Sequence, residues 1–106
     1  MKTLYLSLSH NRKVHFYIGQ QAKDHFPMLD RSKPSDIWFH LDDYPSCHII
    51  ASVPEHASRE DINKLIRHGI RLSKEHSKYG TNVKVIHARV RNVSKTTSEG
   101  KVNVLK

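Results

Sequence analysis

The sequence predicts an α+β fold: a mostly antiparallel β-sheet with one long and one short helix packed on it, in the order β-β-α-β-β-α-β-β. Three observations lead there. Short runs of alternating apolar and polar residues are separated by turn-forming residues and fall into hairpin pairs. One segment, beginning at Ser58, instead repeats its apolar residues at helical spacing. The length of 106 residues, without internal repeat, low-complexity tract or linker, is that of a single domain spanning residues 1–106.

Residues 4–9 and 14–18 read as two strands joined by His10-Asn11-Arg12-Lys13, which puts Arg12 and Lys13 at an exposed tip. Residues 20–29 read as a short helix packing Ala22, Phe26 and Leu29, with Pro27 limiting its length. A polar connection over 30–35 follows, in which Pro34 biases Lys33 toward extended geometry. Residues 38–41 then form a strand, with Ile37, Phe39 and Leu41 on one face and Trp38 and His40 on the other. Asp42-Asp43-Tyr44-Pro45-Ser46 is turn chemistry, and 47–53 is a second strand with Ile49, Ala51 and Val53 sharing a face. A hairpin centred near Tyr44 sets His40 across from His48, with Cβ atoms roughly 5 Å apart. Pro54 closes this strand.

Ser58 is the N-cap of the long helix, and Asp61 takes the N3 slot of a capping box. Ile62, Leu65, Ile66, Gly69, Ile70 and Ser73 form its buried stripe, and Gly80 is the C′ stop. Strands over 82–91 and 101–105, joined by a polar loop over 94–100, complete the chain.

Composition narrows the function. The formal net charge is +8, a basic excess that favours polyanions. Cys47 is the single cysteine, which excludes an intramolecular disulfide and a Cys-based zinc site and fits a reducing compartment. No apolar run approaches the roughly 20 residues of a membrane span, and the strand-like amino terminus has no signal-peptide core. The expectation is an intracellular, cytoplasmic protein with no membrane partner.

The basic residues are patterned. Lys64, Arg67, Arg71, Lys74 and Lys78 fall within a sector of roughly 80° on the long helix, nearly opposite its apolar stripe. A solvated helix face ordinarily mixes signs, but no acid intervenes between Lys64 and Lys74. Arg89, Arg91 and Lys95 run out of a strand into a loop rich in hydroxyls, where they serve either phosphate contact or the charge protection of an edge strand.

The segment 36–48 concentrates the only Trp, the only Cys and two of the nine His. Trp38, His40 and His48 admit three readings: packing beneath a helix with each imidazole bonded to backbone, a stacking surface for RNA bases or ribose, or a His pair acting as general base and acid in RNA cleavage. Two His without a third ligand are not a zinc site. No Walker loop, G-x-G-x-x-G, G-x-S-x-G or C-x-x-C is present, so neither metal nor cofactor is expected.

The run Asp36-Ile37-Trp38-Phe39-His40, a short turn, then Pro45-Ser46-Cys47-His48, resembles the signature of the NFACT RNA-binding domain family. That family includes the carboxy-terminal domains of fibronectin-binding-protein-A and ribosome-quality-control relatives, and stand-alone members of the coiled-coil-domain protein 25 type. Tyr17-Ile18-Gly19, the helix over 57–79, Val90-Arg91-Asn92-Val93-Ser94-Lys95 and Gly100-Lys101-Val102 match its further pattern in order. The resemblance implies a non-enzymatic module that binds structured RNA such as tRNA or rRNA, in contact with the ribosome, with DNA an open alternative. It marks Gly19, Asp36, Trp38, Phe39, Pro45, Ser46, Asn92 and Gly100 as motif residues, and adds His40 and His48 to the basic residues as RNA contacts. The expected stand-alone form lacks the amino-terminal domain and coiled coil of the larger relatives. A small metal-independent ribonuclease using His40 and His48, or a docking module for an acidic protein, are the alternatives.

Overall fold

The computed structural model describes residues 1–42, 44, 46–80, 82–96 and 102–105. Its elements are β1 (Lys2–Ser7), β2 (Lys13–Gly19), α1 (Ala22–Arg31), β3 (Ile37–Leu41), β4 (His48–Ala51), α2 (Arg59–Glu75), β5 (Val85–Arg89), β6 (Val93–Lys95) and β7 (Val102–Val104). The first five strands form an antiparallel sheet in the order β1-β2-β4-β3-β5, and β6 pairs with β7 in a separate two-stranded sheet. The α+β class of the sequence reading holds. The part after α2 differs, forming three strands where the sequence suggested two. The run over 82–91 breaks because Val90–Asn92 makes a 3₁₀ turn, in which the amide of Val90 bonds the carbonyl of Asp36 and that of Arg91 bonds the carbonyl of Pro34.

The alternation of side chains gives the sheet two buried faces. One carries Val14, Phe16, Ile18, Ile37, Phe39, Ile49 and Ala51 against Leu65 and Leu72 of α2. The other carries Trp38 and Ile50 against Met28 and Leu29 of α1 and Val90, with Val93, Val102 and Val104 of the small sheet packed alongside. Burying side chains from both faces is what makes the central strands nearly continuous runs of apolar residues. Two glycines set how closely the helices approach. A Cβ on Gly69 of α2 would lie 2.3 Å from the Phe39 ring, and one on Gly19 at the end of β2 would lie 2.3 Å from Sδ of Met28 in α1.

The helices depart from expectation in phase and length. In α1 the buried residues are His25, Met28 and Leu29 rather than Ala22 and Phe26, which are exposed and half-buried. Helix α1 runs to Arg31, two residues past the expected Leu29, because Pro27 costs one intrahelical bond, at the exposed first-turn residue Lys23, while Met28 and Leu29 beyond it anchor the helix to Trp38 and Ile50. In α2 the Ser58 cap forms as expected, its Oγ accepting the amide of Asp61 at 3.1 Å. The Asp61 carboxylate does not close the box. It turns instead to Ser9 Oγ at 3.0 Å and to the guanidinium of Arg12 at 2.9 Å, so Arg12 is half-buried rather than at an exposed tip.

Helix α2 ends at Glu75, short of the Gly80 stop: His76 is its C-cap, its ring Nδ1 also donating to the Leu72 carbonyl, and the next amide, of Ser77, bonds Lys74 in a tighter turn. Leu72 joins the buried stripe, and Ile62, Ile66 and Ile70 flank it half-buried.

Gly69→Ala should be destabilising even though alanine is the better helix former by about 1 kcal/mol. The methyl group has to displace Phe39, so a net loss of about 1–3 kcal/mol is expected in denaturant unfolding.

Candidate nucleic-acid interface

The paired residues Ile37 and Ala51, Trp38 and Ile50, and Phe39 and Ile49 place the centre of the hairpin at residue 44, as the sequence indicated. His40 and His48 therefore lie side by side, with ring centroids 4.7 Å apart and planes at 85°. His48 is also the register partner of Gly19 on β2. Above this row sits His25 of α1, its ring stacked on that of His48 at 3.5 Å and its Nε2 within 3.3 Å of the Gly19 carbonyl. Gly19, without a Cβ, lets His25 and Met28 descend this far.

The protonation of the pair follows from its partners. The indole N–H of Trp38 can only donate, and it points at Nδ1 of His48 at 3.2 Å. His48 Nδ1 must therefore carry a lone pair, and the ring is neutral. Burial, with the neighbouring His25 and His40, pushes its pKa down to about 2. His40 donates from Nδ1 to its neighbour's carbonyl at Leu41, 2.6 Å away, and stacks flat on Trp38. Burial also lowers the pKa of His40, against the raising effect of that bond. Trp38 and His48 are both buried and His40 is half-buried, so of the three only His40 reaches solvent.

The helix stripe comes out in part. Lys64, Arg67 and Arg71 are exposed on α2 and Lys74 is half-buried there. Lys78 lies beyond the end of α2, its ammonium 5.6 Å from the centre of the Tyr79 ring, and so leaves the stripe. Arg71 donates to Nδ1 of His68 at 2.8 Å and faces Glu75 at 3.8 Å, an exposed pair of small energetic weight. Lys64 reaches the carbonyl of Ser7 at the end of β1.

The second basic cluster does not form a unit. Arg89 is half-buried and donates to the carbonyl of Ser35. Lys95 is ion-paired with Asp30 and lies near the Phe26 ring, on the side of α1 and away from α2. Arg91 is exposed, but in the 3₁₀ turn rather than on the β5 face.

Several motif residues hold the frame. The Asp36 carboxylate accepts the amides of Lys33 at 2.9 Å and Val53 at 3.0 Å. Ser46 Oγ accepts the Leu41 amide and so helps close the β3–β4 turn. Phe39 is fully buried, and the Asn92 carbonyl receives the amide of Leu105. Pro45 and Gly100, with the loop hydroxyls Thr97 and Ser98, lie outside the described residues.

This fold has solved and curated counterparts. The C-terminal part of the fibronectin/fibrinogen-binding protein of Streptococcus suis superposes on all of this chain with a TM-score of 0.74 at 18% identity, over 43% of its own chain. Coiled-coil domain-containing protein 25 of Danio rerio is 27% identical over 84 residues, which are 76% of this chain and 41% of that protein. The chain thus spans about two fifths of the length of each. No family model matches it. The structural likeness shows the fold, and the sequence likeness is distant.

His25 was not legible as a member of the histidine row, since nothing in its spacing connects it to His48. The capping box of Gln21 and Asp24 that orients α1 was the available signal for where that helix starts.

The neutral state of His48 predicts an acid-labile fold. The unfolded imidazole takes a proton below its ordinary 6.5, whereas the folded one stays bare down to about 2. Through that window the unfolded state binds more protons, so the contribution is intact above 6.5 and declines as pH falls. One such group costs about 1.4 kcal/mol per pH unit, or roughly 2 kcal/mol from pH 6.5 to 5. Urea titrations at pH 7 and pH 5 should show this loss, and His48→Asn, which keeps an acceptor but cannot titrate there, should show a shallower dependence.

Proposed function

We propose that this chain is a non-enzymatic RNA-binding module of the NFACT type, taking structured RNA such as tRNA or rRNA. The observation that carries this reading is the outer face of α2, where Lys64, Arg67 and Arg71 stand exposed in succession, with Glu60 at one end and Glu75, paired with Arg71, at the other. The basic balance of the whole chain, +8, supports a polyanionic ligand. The distant likeness to coiled-coil domain-containing protein 25 is consistent with it. Ribosomal quality control is the setting this reading suggests.

The histidine row speaks against cleavage. A general base has to come within hydrogen-bond reach of its proton in the substrate. His48 is buried with Nδ1 occupied by the Trp38 indole, so only His40 of the pair lies at the surface.

The test is the salt dependence of binding. If Lys64, Arg67, Arg71 and Lys74 each neutralise a phosphate, log K against log salt has a slope of about −3 for single-stranded RNA. Arg67→Gln with Arg71→Gln should flatten it by one to two units, with little change in stability because both side chains are exposed. An unchanged slope would remove α2 from the binding surface.

A further inference from the structure

The half of the sheet face left open by α1 carries three aromatic rings in contact. Tyr5, 61% exposed on the edge strand β1, meets its register partner His15 with centroids 4.8 Å apart and planes at 75°. His15 in turn lies 6.1 Å from Tyr17, whose hydroxyl is 3.2 Å from its Nδ1. His15 and Tyr17 alternate along β2 with Val14, Phe16 and Ile18, all fully buried against the other face. Tyr17 packs at the margin of the second core, but neither core accounts for Tyr5 and His15. Beside them opens a cavity of about 410 Å³ lined by Tyr17, Met28, Arg31 and Lys33. The acid in its wall, Asp36, already accepts two backbone amides.

Charge surrounds the rings. Lys13 shares the face with His15 and Tyr17 by the two-residue period of the strand and is exposed, as are Arg31 and Lys33. The patch also adjoins the α2 stripe. Ser7, the register partner of Lys13, offers its carbonyl to Lys64. A basic path thus runs from α2, around the end of the β1–β2 hairpin, onto the aromatic face.

We propose that this face is a base-stacking platform for a single-stranded segment of RNA. Tyr5, His15 and Tyr17 supply the ring surfaces, the cavity over Tyr17 receives one base, and Lys13 and Arg31 meet the phosphates, while Lys33 is held by the Val53 carbonyl and Asp36. An exposed and two half-buried aromatic rings on an open sheet, bordered by cations, suit a ligand whose units alternate flat apolar rings with negative charges. An acidic protein would match the charge but not the rings. The proposal rests on the RNA-binding reading and adds a second surface to it, one that recognises bases rather than phosphates alone.

The experiment compares three probes: a short adenosine oligoribonucleotide, an abasic oligomer of equal length, and an RNA duplex. The wild-type protein should bind the adenosine oligomer more tightly than the abasic one. Tyr5→Ala combined with His15→Ala should weaken the adenosine oligomer by about tenfold for each base that loses its ring, leaving the salt slope and the duplex affinity unchanged. Tyr17→Leu, which keeps an apolar side chain against the core, should do the same and abolish quenching of a 2-aminopurine placed in the oligomer. Equal binding of base-bearing and abasic oligomers, or wild-type affinity in both variants, would overturn the platform, spare the α2 reading and leave this face to a protein partner. Absence of salt-dependent binding to all three probes would overturn both readings.

Discussion

Strand β3 is covered on both faces, by α2 on one and by the second core with Met28 and Leu29 of α1 on the other, and the rest of the molecule is arranged around it. On one side the Phe39 ring fills the space above Gly69 of α2. On the other Trp38 lies beneath α1, its single polar atom committed to His48. Helix α2 cannot shift along its face without forcing its backbone into the Phe39 ring, α1 is seated as closely by Met28 over Gly19, and within the sheet the Trp38 indole N–H depends on His48. A buried donor left unpaired costs about 1–3 kcal/mol, a large share of the stability of a small domain.

This frame was readable from the sequence wherever a local rule and burial agreed. Alternation assigned Ile37, Phe39 and Leu41 to one face and Trp38 and His40 to the other, and the turn residues centred the hairpin correctly. The Ser58 cap was legible for the same reason, since a side-chain acceptor before an apolar helical repeat has few other uses. What was not legible depended on partners distant in the chain. Asp61 fits a capping box by spacing, but Arg12 and Ser9, far earlier in the sequence, draw its carboxylate away. The end of α2 at His76 comes with a tightened turn from Ser77 to Lys74, well before the glycine that looked like its stop. Pro27 was read as limiting the helix to Leu29, and its run on to Arg31 rests on the tertiary anchor of Met28 and Leu29, which cannot be seen locally.

The cations follow the same division. On α2 a regular helix makes their angular positions predictable, and three of them emerge together on the surface. Beyond β5 the chain leaves regular structure, and Arg89 and Lys95 are drawn into bonds with Ser35 and Asp30 that fasten loops to the sheet and to α1. The histidine-rich segment that gives the sequence its most recognisable signature is mostly interior. That signature therefore reports how the sheet is built, and surface charge has to be read separately from it.

The Asp36 clamp gathers strands of the chain that are remote in sequence. Its carboxylate takes the amides of Lys33 and Val53, and its own carbonyl takes that of Val90. None of these amides can be released singly, because freeing one leaves a buried carboxylate oxygen or carbonyl without its donor. In deuterated solvent the three protons should therefore leave together and slowly, at the rate of global opening, although Lys33 belongs to a connecting loop where fast exchange is the ordinary behaviour.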